Sequence, residues 1–144
     1  MKEQTYANHR QLVAAYHVWL FGILALTLIG SLVNFYKSIG DHERFYSASL
    51  IVVLVVASLM LFFFCRAFPL KAQDRAIRAE ENLRHYVLTG KLLDSRFSIP
   101  QIVALRFASD DEFPALAAKA AEENTAPDDI KRAIKHWRAD TYRV

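Results

Sequence analysis

Hydrophobic residues are concentrated in the first half of the chain, in two long runs. The second run, Phe45 to Cys65, has twenty-one residues and contains no Asp, Glu, Lys, Arg, Gly or Pro. As an α-helix it would be about 31 Å long, close to the ~30 Å hydrocarbon thickness of a bilayer. Core helices of soluble proteins rarely extend so far without a polar face. The run therefore predicts a transmembrane helix.

The first run, residues 11–36, also lacks Asp, Glu, Lys and Arg. Its helix would be about 39 Å long, which is more than the hydrocarbon requires. We expect the surplus to lie in the headgroup zones, with Tyr16 and Trp19 at one end and Tyr36 at the other. The run is too long for the core of a signal peptide, so we predict a retained membrane anchor.

The two runs predict an all-α membrane protein with a small cytoplasmic helical domain. We predict six segments: a cytoplasmic tail at 1–10, transmembrane helix 1 at 11–36, an external loop at 37–44, transmembrane helix 2 at 45–69, a juxtamembrane helix at 70–90 and the helical domain at 91–144. So short a loop makes the two spans an antiparallel hairpin. Pro69 should kink or interrupt the helix where it leaves the bilayer.

Basic residues predict the orientation of the hairpin. Four of them follow the second span closely: Arg66, Lys71, Arg75 and Arg78. Lys2 and Arg10 lie in the N-terminal tail, whereas the basic residues of the loop are offset by acidic ones. Because Lys and Arg are retained on the cytoplasmic side, we expect a multi-pass protein with both termini in the cytoplasm. The four side chains after the second span should contact lipid headgroups.

Apolar residues recur at helical spacing beyond the second span. One predicted stripe of the juxtamembrane helix consists of Ala76, Ala79, Leu83 and Tyr86 or Val87. Asp74 and Arg78, like Glu80 and Arg84, are spaced for i,i+4 ion pairs. Gly90 should end this helix.

Three short helices are predicted in the C-terminal segment. Ser98 precedes the first, Ser109 to Glu112 has the spacing of a capping box for the second, and Thr125 to Asp128 starts the third. The third should carry Ile130, Ala133, Ile134 and Trp137 at helical spacing. The expected core anchors are Phe97, Phe107, Phe113 and Trp137.

The net charge of +3 is too small to indicate nucleic-acid binding by itself, and we expect none. A basic cluster nevertheless closes the chain: Lys131, Arg132, Lys135, His136, Arg138 and Arg143. It fits either a solvated helix face or a helix that lies on an anionic membrane. Cys65 is alone and is interpreted as a small apolar residue.

Small and polar residues within the spans form a candidate packing face. On the first span these are Gly22, Thr27, Gly30, Ser31 and Asn34, and on the second Ala57 and Ser58. Such residues allow helix backbones to approach and to form hydrogen bonds. We interpret the face as serving hairpin packing or self-association, with a substrate or ion path in an oligomer as the alternative.

Candidate ligands for a metal or a cofactor are few. His9 and His17 could in principle ligate haem, but the second span offers no opposing histidine. Asp41, His42 and Glu43 are adjacent polar residues of a turn, where solvation is the usual role. No nucleophile motif frames the Ser, His and Asp residues. The sequence therefore predicts neither a cofactor nor an enzyme.

Four stretches carry a family resemblance: YANHRQLVAAYH, LKAQDRAIRAEENLR, QIVALRFASDDEFPAL and IKRAIKHWRADTYRV. They resemble an uncharacterised family of small bacterial two-span inner-membrane proteins. The resemblance implies a bacterial inner-membrane protein and carries no activity. The motif-like residues, whose roles it does not assign, are Asn8, His9, His17, Gln73, Asp74, Arg106, Phe107 and Trp137.

The sequence as a whole favours a non-enzymatic accessory or scaffold protein that presents its helical domain to a partner. The expected partners are the lipid bilayer and another membrane protein or further copies of this chain. Two alternatives remain: a permease-like transporter component that acts as an oligomer, and a haem-bearing membrane anchor.

Overall fold

The computed structural model describes residues 4–9 and 12–140. Within these ranges a π-helical segment, Ala15–Leu20, leads into α1, Phe21–Lys37, and four more helices follow: α2, His42–Thr89; α3, Ile99–Leu105; α4, Phe113–Glu123; and α5, Pro127–Ala133. The same ranges contain no β-strand, only an isolated antiparallel bridge between Ala108 and Trp137. The prediction of an all-α chain is confirmed. Lys2, Arg10, Gln11 and Arg143, which entered the predictions above, lie outside the described residues.

The chain forms two compact units and passes between them twice, before Leu12 and within α2. Leu12–Phe68 forms the first, which we call the hairpin unit. The second, the core unit, combines Met1–Gln11 with Pro69–Val144. Each unit has its own packing and is described by itself.

Two helical arms pack side by side in the hairpin unit. At one end the rings of Tyr16 and Phe62 stack with their centroids 4.4 Å apart, and the Tyr16 hydroxyl donates a hydrogen bond to the Phe62 carbonyl. At the other end the ring centroids of Phe35 and Phe45 lie 4.8 Å apart. Because these pairs occur in opposite order along the two arms, the helices are antiparallel. Gly40, with φ +98°, lies in the connecting turn.

Both arms are long and apolar enough to cross a membrane. The candidate spans are Ala15–Lys37 and His42–Thr89, and only 6% and 11% of their most hydrophobic stretches are buried. Leu26 and Leu54, for example, are exposed. Most apolar side chains of the hairpin unit therefore face outward, unlike those of a buried core helix.

Pro69 lies inside the 48-residue α2, so of the two predicted effects, a kink or an interruption, the interruption does not occur. Proline lacks the N–H that would donate to the carbonyl four residues earlier, at a cost of about 3 kcal/mol within a helix. The residues directly after it are strong helix formers: Leu70, Lys71, Ala72 and Gln73. The helix ends at Thr89 as predicted, where Gly90 adopts φ +73° and its N–H donates to the Tyr86 carbonyl at 2.8 Å.

Helices α3, α4 and α5 surround the hydrophobic core of the core unit. The largest fully buried side chains are Phe107, Phe113, Leu105 and Ile130. Phe97 is also buried, so three of the four predicted aromatic anchors are confirmed. Trp137 is partly buried and packs against the same cluster.

Helix α3 begins after Ser98, as predicted, and Gln101 fixes its position. The Oε1 atom of Gln101 accepts hydrogen bonds from the Ser98 N–H at 2.9 Å and from its hydroxyl at 2.7 Å. Its Nε2 atom donates to the Thr125 carbonyl at 2.9 Å. One buried amide thus joins the start of α3 to the loop before α5.

The capping box predicted at Ser109 to Glu112 does not form. Glu112 occupies the N-cap position of α4 without a side-chain capping bond. Its carboxylate instead accepts hydrogen bonds from the backbone N–H groups of Lys135 at 3.1 Å and His136 at 3.0 Å. A carboxylate that satisfies two orphan donors of a distant loop is unavailable to its own helix.

The last helix is shorter than predicted, because α5 ends at Ala133 and Ile134 is extended. Trp137 therefore lies beyond the helix. The N–H of Arg138 donates to the Phe107 carbonyl at 2.7 Å, and that of Ser109 donates to the His136 carbonyl at 3.0 Å. This pairing satisfies backbone groups that a longer helix would have used. The described members of the basic cluster, residues 131–138, are consequently spread over α5 and the segment after it rather than one helix face.

Replacing Gln101 by Ala should lower the free energy of unfolding by about 1–3 kcal/mol, because partners of its buried amide lose their hydrogen bonds. Thermal unfolding in mild detergent measures the change. Lys119→Ala, at an exposed position of α4, is the matched control and should stay within about 0.5 kcal/mol of the parent. Equal stability of the two variants would contradict the role assigned to Gln101.

Candidate functional site

The second half of α2 buries a charged face and exposes an apolar one. Ile77, Glu81 and Arg84 are spaced four and three residues apart, so they lie on the same side of the helix. The side chains of Glu81 and Arg84 are only 7% and 10% exposed. The apolar stripe that the sequence predicted is exposed, with Leu83 at 63% and Val87 at 74%. Its periodicity is present, but it faces outward.

Arg84 is the centre of the buried charges. Its Nη1 atom lies 3.0 Å from Glu81 Oε2, and its Nη2 atom lies 2.6 Å from Asp110 Oδ1. Nη2 also donates to the Ala108 carbonyl at 2.7 Å, and the guanidinium carbon lies 4.4 Å from the centre of the Phe113 ring. The guanidinium thereby joins α2 to the loop before α4.

The two predicted i,i+4 ion pairs are absent in this part of α2. Arg84 is directed to Glu81 and Asp110 rather than to Glu80. Asp74 and Arg78, both described, form no ion pair with each other either. Exposed pairs of this kind contribute at most about 0.5 kcal/mol, so the buried contacts of Arg84 outweigh them.

A second arginine lies across an open polar pocket from this network. Arg106 Nη1 is 3.1 Å from Asp140 Oδ2, and the Arg106 side chain is only 9% exposed. Its guanidinium carbon lies 4.7 Å from the centre of the Phe107 ring. The pocket, of about 320 Å³, is lined by Gln73, Ala76, Ile77, Glu80, Glu81, Arg106, Arg138, Ala139 and Asp140. Two predicted motif residues, Gln73 and Arg106, therefore meet there.

Burial raises the pKa of Glu81 above its ordinary value, against the opposing influence of the hydrogen bond and the charge of Arg84. Among the groups that line the pocket, three carboxyl groups face two guanidinium groups. The lining contains no Ser, Cys or His that could act as a nucleophile or an imidazole base. The arrangement can pair charges and hold a proton, and it fixes the position of α2.

Residues 4–9 also belong to the core unit and bring further motif residues together. The His9 ring centroid lies 5.9 Å from those of Phe107 and Trp137. Asn8 Oδ1 accepts the Thr5 N–H at 2.6 Å, which stabilises the turn that presents His9. The Gln4 side chain accepts the Asp140 N–H at 2.7 Å. The sequence did not reveal this meeting of distant motifs.

The other candidate ligands have local roles. His17 Nδ1 lies 3.0 Å from the Val13 carbonyl in the hairpin unit. Asp41 forms an ion pair with Arg44 at 3.2 Å and accepts its backbone N–H at 3.2 Å, at the start of α2. Within the described ranges, no group of three His, Cys, Asp or Glu residues could hold a metal ion.

The predicted packing face of the spans contributes little to the hairpin itself. Of its residues only Ser31 is buried, Gly22 and Ser58 are intermediate, and Thr27, Gly30, Asn34 and Ala57 are exposed. The hydroxyls of Thr27 and Ser58 donate to carbonyls of their own helices, at 2.7 and 2.8 Å. A Cβ at Gly22 or Gly30 would meet no atom within 4 Å. Association of this face with another molecule stays a prediction.

The predicted headgroup residues are accessible, since Lys71, Arg75 and Arg78 are exposed and Arg66 is intermediate. Their contact with lipid stays a prediction.

The sequence did not reveal Glu81, Arg84 and Gln101 as residues whose buried contacts hold the fold together. Glu81 and Arg84 share a face with Ile77, but that spacing is common on solvated helices and does not show which face is buried.

Glu81→Gln should reduce the pH dependence of stability. Since the folded pKa of Glu81 is raised, the folded protein binds this proton more strongly than the unfolded chain does. The resulting stability is present below the ordinary Glu pKa and is lost as pH rises through the folded pKa. The unfolding midpoint of the parent should therefore fall relative to that of Glu81→Gln as pH rises above the ordinary Glu pKa of about 4.3. Glu80→Gln, at the exposed neighbour, is the control, and a parallel effect there would contradict this assignment.

Comparisons with known proteins identify the family of the chain. Searches of curated proteins and of solved structures give no match. The model of one family, described as a family of unknown function, DUF6526, matches residues 1–144. The chain therefore belongs to the DUF6526 family.

Proposed function

We propose that this protein is a non-enzymatic scaffold of a bacterial inner membrane, whose core unit binds a protein partner. The observation that carries the proposal is the exposed apolar face on the second half of α2. Leu83, Tyr86 and Val87 are 63%, 54% and 74% exposed there. Contiguous exposed apolar residues beside charged ones are typical of protein interfaces.

Membrane insertion is supported by the outward apolar surface of the hairpin unit. Only 6% and 11% of the most hydrophobic stretches of its helices are buried within the chain. Thr27 and Ser58 direct their hydroxyls to carbonyls of their own helices, so these groups have hydrogen bonds without water. Such a surface supports insertion of the hairpin unit into bilayer hydrocarbon.

Two observations support an even number of membrane crossings. Residues 4–9 pack on Phe107 and Trp137, so the segment before the hairpin lies on the same side as the core unit. The basic residues after the second span, three of them exposed, favour the cytoplasmic side. Both termini would then be cytoplasmic.

The buried charges of the core unit support a binding rather than a catalytic role. Glu81, Arg84 and Asp110 contact one another, and Arg106 contacts Asp140. These contacts hold α2 and the C-terminal segment in place. The apolar face that remains exposed is the part of α2 that a partner can cover.

A transporter component is the second candidate. Asn34 is exposed on the outside of the hairpin unit, together with Thr27 and Gly30, and its amide is costly in lipid unless another helix covers it. Association through this face would provide that cover and could line a path in an oligomer.

The topology can be tested with single cysteines in a Cys65→Ala background. Ile39→Cys, at an exposed position of the loop, should react with an impermeant thiol reagent added outside intact cells. Lys119→Cys, exposed on α4, should react only after the membrane is permeabilised. Labelling in the reverse order would contradict the proposed orientation.

The scaffold function can be tested by the native mass of the protein, tagged at chromosomal expression level and extracted in mild detergent. We expect a defined complex, and the double variant Leu83→Lys, Val87→Lys should shift it to the monomer mass because charges oppose apolar burial. Lys119→Glu, on α4, should leave the complex intact. A parent protein that is monomeric in gently solubilised membranes would refute the proposal.

A further inference from the structure

We propose that the exposed face of α2 binds a second copy of this chain and forms a short parallel two-stranded coiled coil. This inference rests on the proposed scaffold function and names its partner. We call the seam formed by Ala72, Ala76, Ala79, Leu83 and Tyr86 the outer face.

The spacing of the outer face is that of a coiled-coil seam. Successive members lie four, three, four and three residues apart, which places Ala76 and Leu83 at a positions and the others at d positions. All five are exposed, whereas Ile77 and Glu81 on the opposite side are each 6% exposed. Ala76 lies at the rim of the pocket that Arg106 also lines, so the outer face borders the side of α2 that contacts its own chain and remains exposed.

Charge complementarity favours a second copy in parallel orientation. Arg75 precedes the a position at Ala76, and Glu80 follows the d position at Ala79, so they occupy g and e positions. In a parallel pair a g residue faces the e residue five positions on in the other helix. Arg75 would therefore face Glu80 of the second copy, twice by symmetry. An antiparallel pair would bring like charges together instead.

Both charged residues are accessible for this pairing. Arg75 and Glu80 are exposed. Within the described ranges, the ion pairs of α2 beyond Pro69 involve Arg84 with Glu81 and Asp110, and include neither Arg75 nor Glu80.

Insertion in a common membrane compensates for the short length of the seam. Free helices generally need three to four heptads for a stable coiled coil, and the outer face extends over about two. Two copies inserted in one membrane share their orientation and the height at which α2 leaves the bilayer. Tethering of this kind raises the effective concentration to about the millimolar range and also sets the parallel register.

Disulfide cross-linking in native membranes tests the inference. In a Cys65→Ala background, Ala79→Cys on the outer face should form a dimer on mild oxidation, several-fold more than Arg78→Cys. The latter lies at the same depth but at a flanking position of the helix. Equal cross-linking at both positions, or none at either, would overturn the coiled coil.

Charge reversal tests the parallel pairing. In the Ala79→Cys protein, Arg75→Glu and Glu80→Arg should each reduce dimer yield severalfold, because each places like charges opposite one another. Co-expression of the two variants should restore the yield, since their mixed dimer pairs opposite charges at both sites. Absence of this rescue would overturn the parallel arrangement.

The outcomes separate this inference from the scaffold function on which it rests. A cross-linked product with another protein and no dimer would overturn self-pairing while the scaffold function stands. A monomeric native mass without any cross-linked product would overturn both.

Discussion

The buried guanidinium of Arg84 is the interaction on which the core unit depends. It contacts Glu81 in its own helix, and Asp110, the Ala108 carbonyl and the Phe113 ring outside it. A planar group with several donors can satisfy these partners together, whereas a lysine ammonium cannot match that geometry. Removal of one partner from a buried ion pair costs about 3–5 kcal/mol. The position of α2 against α4 follows from these contacts.

The buried charges of Glu81 and Arg84 determine which surface of α2 stays accessible to other molecules. Because Glu81 and Arg84 occupy the inner side together with Ile77, the apolar residues Leu83 and Val87 are left outside. The exposed side of the helix thus carries apolar residues beside charged ones, unlike that of an ordinary amphipathic helix of a soluble domain. This arrangement keeps an apolar surface available for association.

Local sequence signals predicted much of the fold. Long apolar runs predicted the two candidate spans. Gly90 predicted the end of α2, and Ser98 predicted the start of α3. Three of the predicted core anchors, all phenylalanines, are buried in the core. The predictions failed where contacts between residues distant in sequence determine the local structure. Glu112 caps a loop twenty-three residues away instead of its own helix. Periodicity located the stripe around Leu83 but could not show which side faces inward, because that depends on Asp110 and Phe113.

The contacts of residues 4–9 constrain the order in which the protein can fold. The hydrogen bond between Gln4 and Asp140 spans 136 positions, and the ring contacts of His9 with Phe107 and Trp137 span about a hundred. During synthesis both apolar runs emerge before these partners exist. Contacts of such high sequence separation form late and slowly. Membrane insertion would therefore precede completion of the core unit, and a chain stalled before Phe107 would insert without these long-range contacts.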